Sequence, residues 1–222
     1  MIYPVKELAS APSLRTVPVR RFTWRPGQRH RPGLTPLLAT GRMHGFESLA
    51  ERRLLLALDF VGGLDEVLSQ PFRLTFASTT GKKMDHTPDF LALMGRDGWL
   101  LDVRPGHLVK EQDAVKFAAA EQAAAAAGWR YSVVTGWLPQ AITVVESLSA
   151  RRRPMLDRLA LQSELLDLVR ERPRLFRDLV DATTVPAVTR VHAIHLLWHR
   201  RLAMDLAQPL GDGSWIYGVR SA

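Results

Sequence analysis

Residues 87–105, TPDFLALMGRDGWLLDVRP, constrain the fold more than any other stretch of the 222-residue sequence. Two short apolar runs, at 90–94 and 99–103, flank the turn-forming tetrapeptide GRDG. Runs of this length, separated by glycines, are typical of buried strands joined by a tight turn. The stretch therefore predicts a β-hairpin within the core of a sheet.

The predicted hairpin carries three charged side chains, Asp89, Asp102 and Arg104. Side chains alternate along a strand, so Asp102 and Arg104 share one face, and Asp89 begins the partner strand within reach of Asp102. Two carboxylates beside a cation are costly to bury unless they are paired or bind a metal ion. The residues alone leave two interpretations open: a metal site, or a surface hairpin with an ordinary Asp–Arg pair.

This arrangement resembles the core of the PD-(D/E)XK nucleases. Pro88-Asp89 matches the first part of that motif, and Asp102-Val103-Arg104 matches the second part, with Arg in the place of the usual Lys. Carboxylate oxygens are the ligands that Mg²⁺ prefers, and one or two of them usually suffice alongside water and phosphate. The motif is short, so the rest of the chain has to support it.

Composition excludes several kinds of chemistry. The chain has no cysteine, so disulfides and thiolate-based sites are excluded. No apolar run approaches 18 residues, and the N-terminus lacks the core of a signal peptide. We therefore expect a soluble, cytoplasmic, nucleoid-associated protein with no membrane partner.

The net charge of +8 is unevenly distributed. Residues 1–46 hold eight Lys/Arg and one Glu, residues 47–150 hold ten against thirteen acids, and residues 151–222 hold twelve against eight. A mildly acidic middle between two basic segments suits a metal site flanked by regions that contact phosphate. Residues 1–45 are rich in Pro and Arg and predict either a basic DNA-binding arm or a disordered leader. The arm's candidate DNA contacts are Arg20, Arg21, Arg25 and Arg29.

Residues 46–136 predict an α/β domain in which a mixed sheet is flanked by helices. The expected elements are a helix at 46–60, a long or interrupted strand at 66–77, the hairpin, an Ala-rich helix at 110–127 and a strand at 129–135. Glu47 and Glu51 lie on one face of the first helix and are candidates to face a metal site. The polar segment 78–86 predicts a loop whose Lys82 and Lys83 are candidate phosphate contacts.

Residues 137–154 predict a linker, and residues 155–222 predict a separate domain of three helices followed by a β-hairpin. That order describes a C-terminal winged helix, in which the third helix (186–199) would enter the major groove of DNA. Arg190, His192, His195 and His199 are expected on or near its exposed side, with Arg190 and His195 as DNA contacts; for the three histidines, partial packing is the alternative to phosphate or base contacts. The histidine spacing alone is a weak indication of metal binding, because no second cluster completes a site.

Taken in order, these parts resemble the TnsA-type endonuclease subunit of heteromeric transposases. The likeness covers about residues 46–135 and depends on four short segments: SLAERRLLLALDF with Glu51, EVLSQPFRL with Gln70-Pro71, TPDFLA with Asp89, and LLDVRP with Asp102 and Arg104. The predicted winged helix agrees with the second domain of that family.

The resemblance implies a Mg²⁺-dependent endonuclease, also active with Mn²⁺, that cuts the 5′ strands at transposon ends. Glu51, Asp89 and Asp102 would hold the metal, Gln70 would support them, and Arg104 would take the role of the Lys. The implied partners are double-stranded DNA, an RNase-H-type transposase subunit and an AAA+ ATPase regulator. Two alternatives fit the same residues: a catalytically inactive DNA-binding or assembly subunit, and a defence or repair nuclease of the same fold.

Overall fold

The computed structural model describes residues 4–10, 32–78 and 81–219. It divides into two compact units, residues 1–136 and residues 137–222. The candidate arm contacts Arg20, Arg21, Arg25 and Arg29 lie outside the described residues. Among the described residues, no helix has both the length and the apolar character needed to cross a membrane.

The centre of the first unit is a four-stranded mixed sheet with the order β3-β6-β7-β8. Strands β3 (Glu66–Ser69), β6 (Phe90–Met94) and β7 (Asp97–Val103) are antiparallel, and β8 (Arg130–Val134) runs parallel to β7. Strands β6 and β7 form the predicted hairpin, and Gly95, with φ +61°, occupies the first position of its two-residue loop. The mixed α/β class expected from the sequence is confirmed.

Two α-helices and two hairpins complete the part of this unit that the structure describes. Hairpin β1 (Gly33–Leu37)/β2 (Arg42–Phe46) precedes helix α1 (Leu49–Val61), whose Leu54, Leu55 and Leu58 are buried at helical spacing. Helix α2 (Glu111–Ala126) packs its small alanines against the sheet core. Small side chains allow this close approach of helix and sheet.

The strand boundaries bear on three sequence predictions in this unit, of which one is confirmed and two are wrong. The stretch at 66–77, predicted as a long or interrupted strand, is interrupted: it forms two strands in different sheets, and Gln70 adopts a left-handed φ of +50° just before Pro71. The second part, β4 (Leu74–Ala77), pairs with β5 (Lys83–His86), which lies in the segment predicted as a loop. The predicted arm, 1–45, likewise contains β1 and most of β2.

The second unit contains helices and a small antiparallel sheet. The helices are α3 (Pro139–Leu148), α4 (Leu161–Glu171), α5 (Phe176–Asp181) and α6 (Pro186–Trp198). The strands are β9 (Arg174–Leu175), β10 (Leu202–Ala203) and β11 (Trp215–Gly218), in the order β10-β11-β9. The segment predicted as a linker therefore contains α3. Helix α4 begins six residues later than predicted, where Asp157 accepts hydrogen bonds from the first free backbone N–H groups.

Candidate metal centre

Asp89 and Asp102 face each other where the β6/β7 hairpin opens. The register pairs Phe90 with Leu101, so its continuation by one residue sets Asp89 opposite Asp102. The Asp89 Oδ2 accepts a hydrogen bond of 2.7 Å from the backbone N–H of Val103. Alternation along the strands thus brings two carboxylates to one end of the sheet, as the sequence predicts.

Asp102 is buried and is held by two side chains from neighbouring strands. Its Oδ2 lies 2.9 Å from Nε2 of His86 on β5 and accepts a bond of 2.7 Å from the hydroxyl of Tyr131 on β8. Burial and the adjacent Asp102 carboxylate raise the pKa of Tyr131, so its hydroxyl stays protonated and donates. The position of the Asp102 carboxylate is therefore set by its neighbours before any ligand binds.

Asp89 occupies a strongly unfavourable place for a negative charge. Burial, followed by the carboxylates of Glu51 and Asp102, raises the pKa of Asp89 well above its ordinary value. The Val103 N–H opposes that shift, and Glu47 adds to it. Since like charges raise each other's proton affinity only over short distances, four carboxylates gather at this end of the sheet.

The acid of the first helix, Glu51, is engaged at the N-terminus of α1. Ser48 is the N-cap of α1 and accepts from the backbone N–H of Glu51, while the two Glu51 oxygens accept from the Ser48 hydroxyl at 2.8 Å and the Glu47 N–H at 2.7 Å. Glu51 affects the pKa of Asp89 more than Glu47 does. Of the two candidate helix acids, Glu51 is therefore the one coupled more strongly to the sheet carboxylates.

Gln70 supplies an unpaired buried oxygen beside these acids. Its backbone N–H donates to the Asp89 carbonyl at 2.7 Å, and its side chain is almost completely buried. The Oε1 of Gln70 has no hydrogen-bond partner among the described residues. A buried polar atom without a partner costs free energy, and unusual backbone angles are concentrated at functional positions.

Arg104 lies elsewhere than the sequence suggests. Its Nε donates to the Leu108 carbonyl at 3.1 Å and lies 3.3 Å from Oδ2 of Asp113, in the first turn of α2. Asp102, in turn, is bonded to His86 and Tyr131. The ordinary Asp–Arg pair of the alternative interpretation therefore joins Arg104 to Asp113 rather than to an acid of the hairpin, and Asp102 is buried rather than at the surface.

The oxygen atoms near Asp89 are the ligands that a hard cation prefers, but the described side chains do not form a preorganised metal site. Among the described residues, no three His, Asp or Glu side chains are grouped so as to hold a metal ion. The oxygens of Glu51 are engaged in the helix cap, and one oxygen of Asp102 is engaged by His86 and Tyr131. The carboxylates around Asp89, with the unpaired oxygen of Gln70, are nevertheless the chemistry that Mg²⁺ takes.

The candidate DNA contacts within the described residues differ in their accessibility. Lys82 and Lys83 are exposed. Arg190 is engaged by Oδ1 of Asp212 at 2.7 Å and lies over the ring of Phe176. The expectation that His195 lies on the exposed side of α6 is wrong, because it is buried and its Nδ1 lies 2.8 Å from the Arg151 carbonyl.

The other two histidines of α6 also pack within the second unit. His192 is buried, and its Nδ1 lies 3.2 Å from Nε2 of Gln162, so the packing alternative holds for it. His199 is exposed, and its Nε2 lies 2.9 Å from the Arg152 carbonyl. The histidine spacing therefore reflects packing more than a surface for DNA.

Sequence reasoning missed His86 and Tyr131. Tyr131 could have been found from periodicity, because Val133 is paired with Asp102 and Tyr131 lies two residues earlier on the same face of β8. His86 gave no comparable signal, since it ends a polar segment that resembles a loop.

Comparison of the chain with protein-family models gave no match, and comparison with curated proteins gave none.

Proposed function

We propose that the first unit is a metal-dependent nuclease domain of the PD-(D/E)XK type. The observation that carries this proposal is the facing pair of Asp89 and Asp102 at the open end of the β6/β7 hairpin. The raised pKa of Asp89, caused by burial and by the carboxylates of Glu51 and Asp102, supports it. A cluster of acids that disfavours its own charge becomes favourable once a divalent cation neutralises it. The order of motifs along the chain supports the same class.

Within that class, the TnsA-type subunit of a heteromeric transposase is the particular function we propose. In that role the chain cuts the 5′ strands at transposon ends, with double-stranded DNA as substrate. An RNase-H-type transposase would process the other strands, and an AAA+ ATPase would regulate the assembly. The four sequence segments and the predicted winged helix at 155–222 support this step.

The proposed roles follow from the contacts of each side chain. Glu51, Asp89 and Asp102 would hold Mg²⁺ or Mn²⁺, which when bound polarises the scissile phosphate and lowers the pKa of water. His86 and Tyr131 orient Asp102. The unpaired amide oxygen of Gln70 would supplement this set.

Arg104 has a narrower role than the Lys it replaces. A guanidinium cannot give up its proton in a protein, so Arg104 can stabilise phosphate charge but cannot act as a general base. Asp113 and the Leu108 carbonyl hold it at the start of α2. Phosphate binding would therefore compete with Asp113 for the same guanidinium.

A nicking assay on supercoiled plasmid tests the proposal. We expect Mg²⁺ or Mn²⁺ to support nicking by the wild-type chain, alone or with its partner transposase, and Asp89→Asn to abolish it. Asp97→Asn, in the exposed hairpin turn, is the matched control and should retain activity. Nicking that persists in EDTA, or in the Asp89 variant, would refute the assignment.

The second candidate function is that of a catalytically inactive DNA-binding or assembly subunit with the same fold. Two observations favour it: Arg104 stands in the place of the Lys, and the described acids are not grouped around a metal position. An inactive subunit would bind duplex DNA while the plasmid stays intact under every metal condition. A defence or repair nuclease would instead cut without the transposase partner.

A further inference from the structure

A groove lined by arginines lies within the second unit, away from the face of α6 that the sequence suggests for DNA. Its volume is about 680 Å³, and it runs between the end of α4, the turn before β10 and the end of β11. Four arginines line it, together with Tyr217: Arg170, Arg172, Arg200 and Arg201. All four arginines are exposed, so their guanidinium groups are accessible from solvent.

The groove carries an excess of positive charge. Arg170 is paired with Asp167, and the acid in the lining, Glu171, is paired with Arg174. Among the described residues, the side chains of Arg172, Arg200 and Arg201 have no ion pair. Three guanidinium groups therefore remain available to an anionic ligand.

The turn that contains Arg200 and Arg201 has an unfavourable backbone conformation at Arg200. Arg200 has a left-handed φ of +53°, and the N–H groups of Arg200 and Arg201 bond back to the carbonyls of Leu197 and Leu196. Helices often end in this way, but the left-handed position favours glycine. A long cationic side chain at such a position is a reason to look for a function.

We infer that this groove binds the phosphate backbone of duplex DNA. Guanidinium groups form bidentate hydrogen bonds with phosphate oxygens, and tyrosine hydroxyls are common partners of backbone phosphates. Arg190 on α6 is already engaged by Asp212, whereas Arg172, Arg200 and Arg201 are not committed. The choice of DNA over another polyanion rests on the proposed function.

This inference is tested by titrating a fluorescent 30-base-pair duplex with the full chain in EDTA and measuring binding by fluorescence anisotropy. The test variant replaces Arg172, Arg200 and Arg201 with Gln, and the matched control replaces the exposed Arg153, Arg158 and Arg177. Each lost phosphate contact flattens the salt slope by about 0.9, so three contacts predict a change of about 2.7 and an affinity loss of roughly 10²-fold at 0.1 M salt. The control should retain the wild-type slope.

Several outcomes would overturn the inference. Equal losses in both triple variants would show an effect of net charge alone, and an unchanged slope in the groove variant would exclude the groove. Preferential, groove-dependent binding of poly-glutamate would indicate an acidic protein partner instead. If the triple variant unfolds, Arg172→Gln and Arg201→Gln are measured singly, each with an expected slope change of about 0.9.

The readout is independent of the proposed nuclease activity. Binding in EDTA needs no metal, so a failed nicking assay leaves the groove result intact. Arginines at the ends of α4 and α6 also complement the helix dipoles. If that is their whole role, the groove variant will melt at a lower temperature and bind DNA with the wild-type salt slope, which would overturn the inference.

Discussion

Replacing Asp89 with Asn is expected to stabilise the chain at neutral pH. The Asn side chain keeps an oxygen for the Val103 N–H and removes the charge that burial, Glu51 and Asp102 all disfavour. Asp89 is half-buried, so relief of its poorly compensated charge is worth at most about 1–3 kcal/mol. For a chain of this size, each kcal/mol raises Tm by about 2–4 °C.

The pH dependence of this effect follows from the direction of the pKa shift. The pKa of Asp89 is higher in the folded chain than in the unfolded chain. Its contribution to stability is therefore fully present below the unfolded pKa and is lost as the pH rises through the folded pKa. The advantage of the Asn variant should be largest at pH 8 and should shrink as the pH is lowered.

Urea denaturation followed by tryptophan fluorescence measures both effects, in EDTA and in excess Mg²⁺. A cation that binds only the folded state adds about 2.7 kcal/mol at a hundred times its Kd. Mg²⁺ should therefore stabilise the wild type and leave the Asn variant unchanged, while Asp97→Asn should behave like the wild type. An Asn variant less stable than the wild type at pH 8 in EDTA would refute this reasoning.

Two further substitutions test the contacts around the site and in the second unit. Tyr131→Phe removes the hydroxyl bonded to Asp102 and should lower the free energy of unfolding by about 1.5–3 kcal/mol, as measured by urea denaturation. Tyr217→Phe, at an exposed position, should change it little. His195→Ala removes a buried imidazole together with its hydrogen bond to the Arg151 carbonyl and should cost about 1–3 kcal/mol, whereas the exposed His107→Ala should be neutral by thermal melting. A neutral Tyr131→Phe or His195→Ala would contradict the assigned contact.

Strand alternation predicted the part of the site that depends on local pattern. The hairpin, and with it the opposition of Asp89 and Asp102, follows from two apolar runs and a glycine-bounded turn. Strand β8, which contributes Tyr131, was predicted, but its register against β7 was not. The two strands are parallel and are connected through α2, so the register depends on how α2 packs and not on sequence spacing.

Other parts of the prediction failed because tertiary contacts overrode local signals. Arg104 was expected beside Asp102, yet the start of α2 offers it Asp113, which no strand pattern reveals. His192, His195 and His199 were expected on or near the exposed side of α6, with partial packing as the alternative, and two of them are buried within the second unit. Apolar residues occur around most of α6, so periodicity does not define its exposed face.

Calorimetric titration of the full chain with Mn²⁺ tests the central claim most directly, because it asks whether the acids around Asp89 bind a divalent cation. The account predicts saturable binding by the wild type, its loss in Asp89→Asn and its retention in Asp97→Asn. Binding should also release protons, because the raised pKa of Asp89 favours its protonated form before the metal arrives. No binding by the wild type, or equal binding by the Asp89 variant, would contradict the claim that these carboxylates form a metal site.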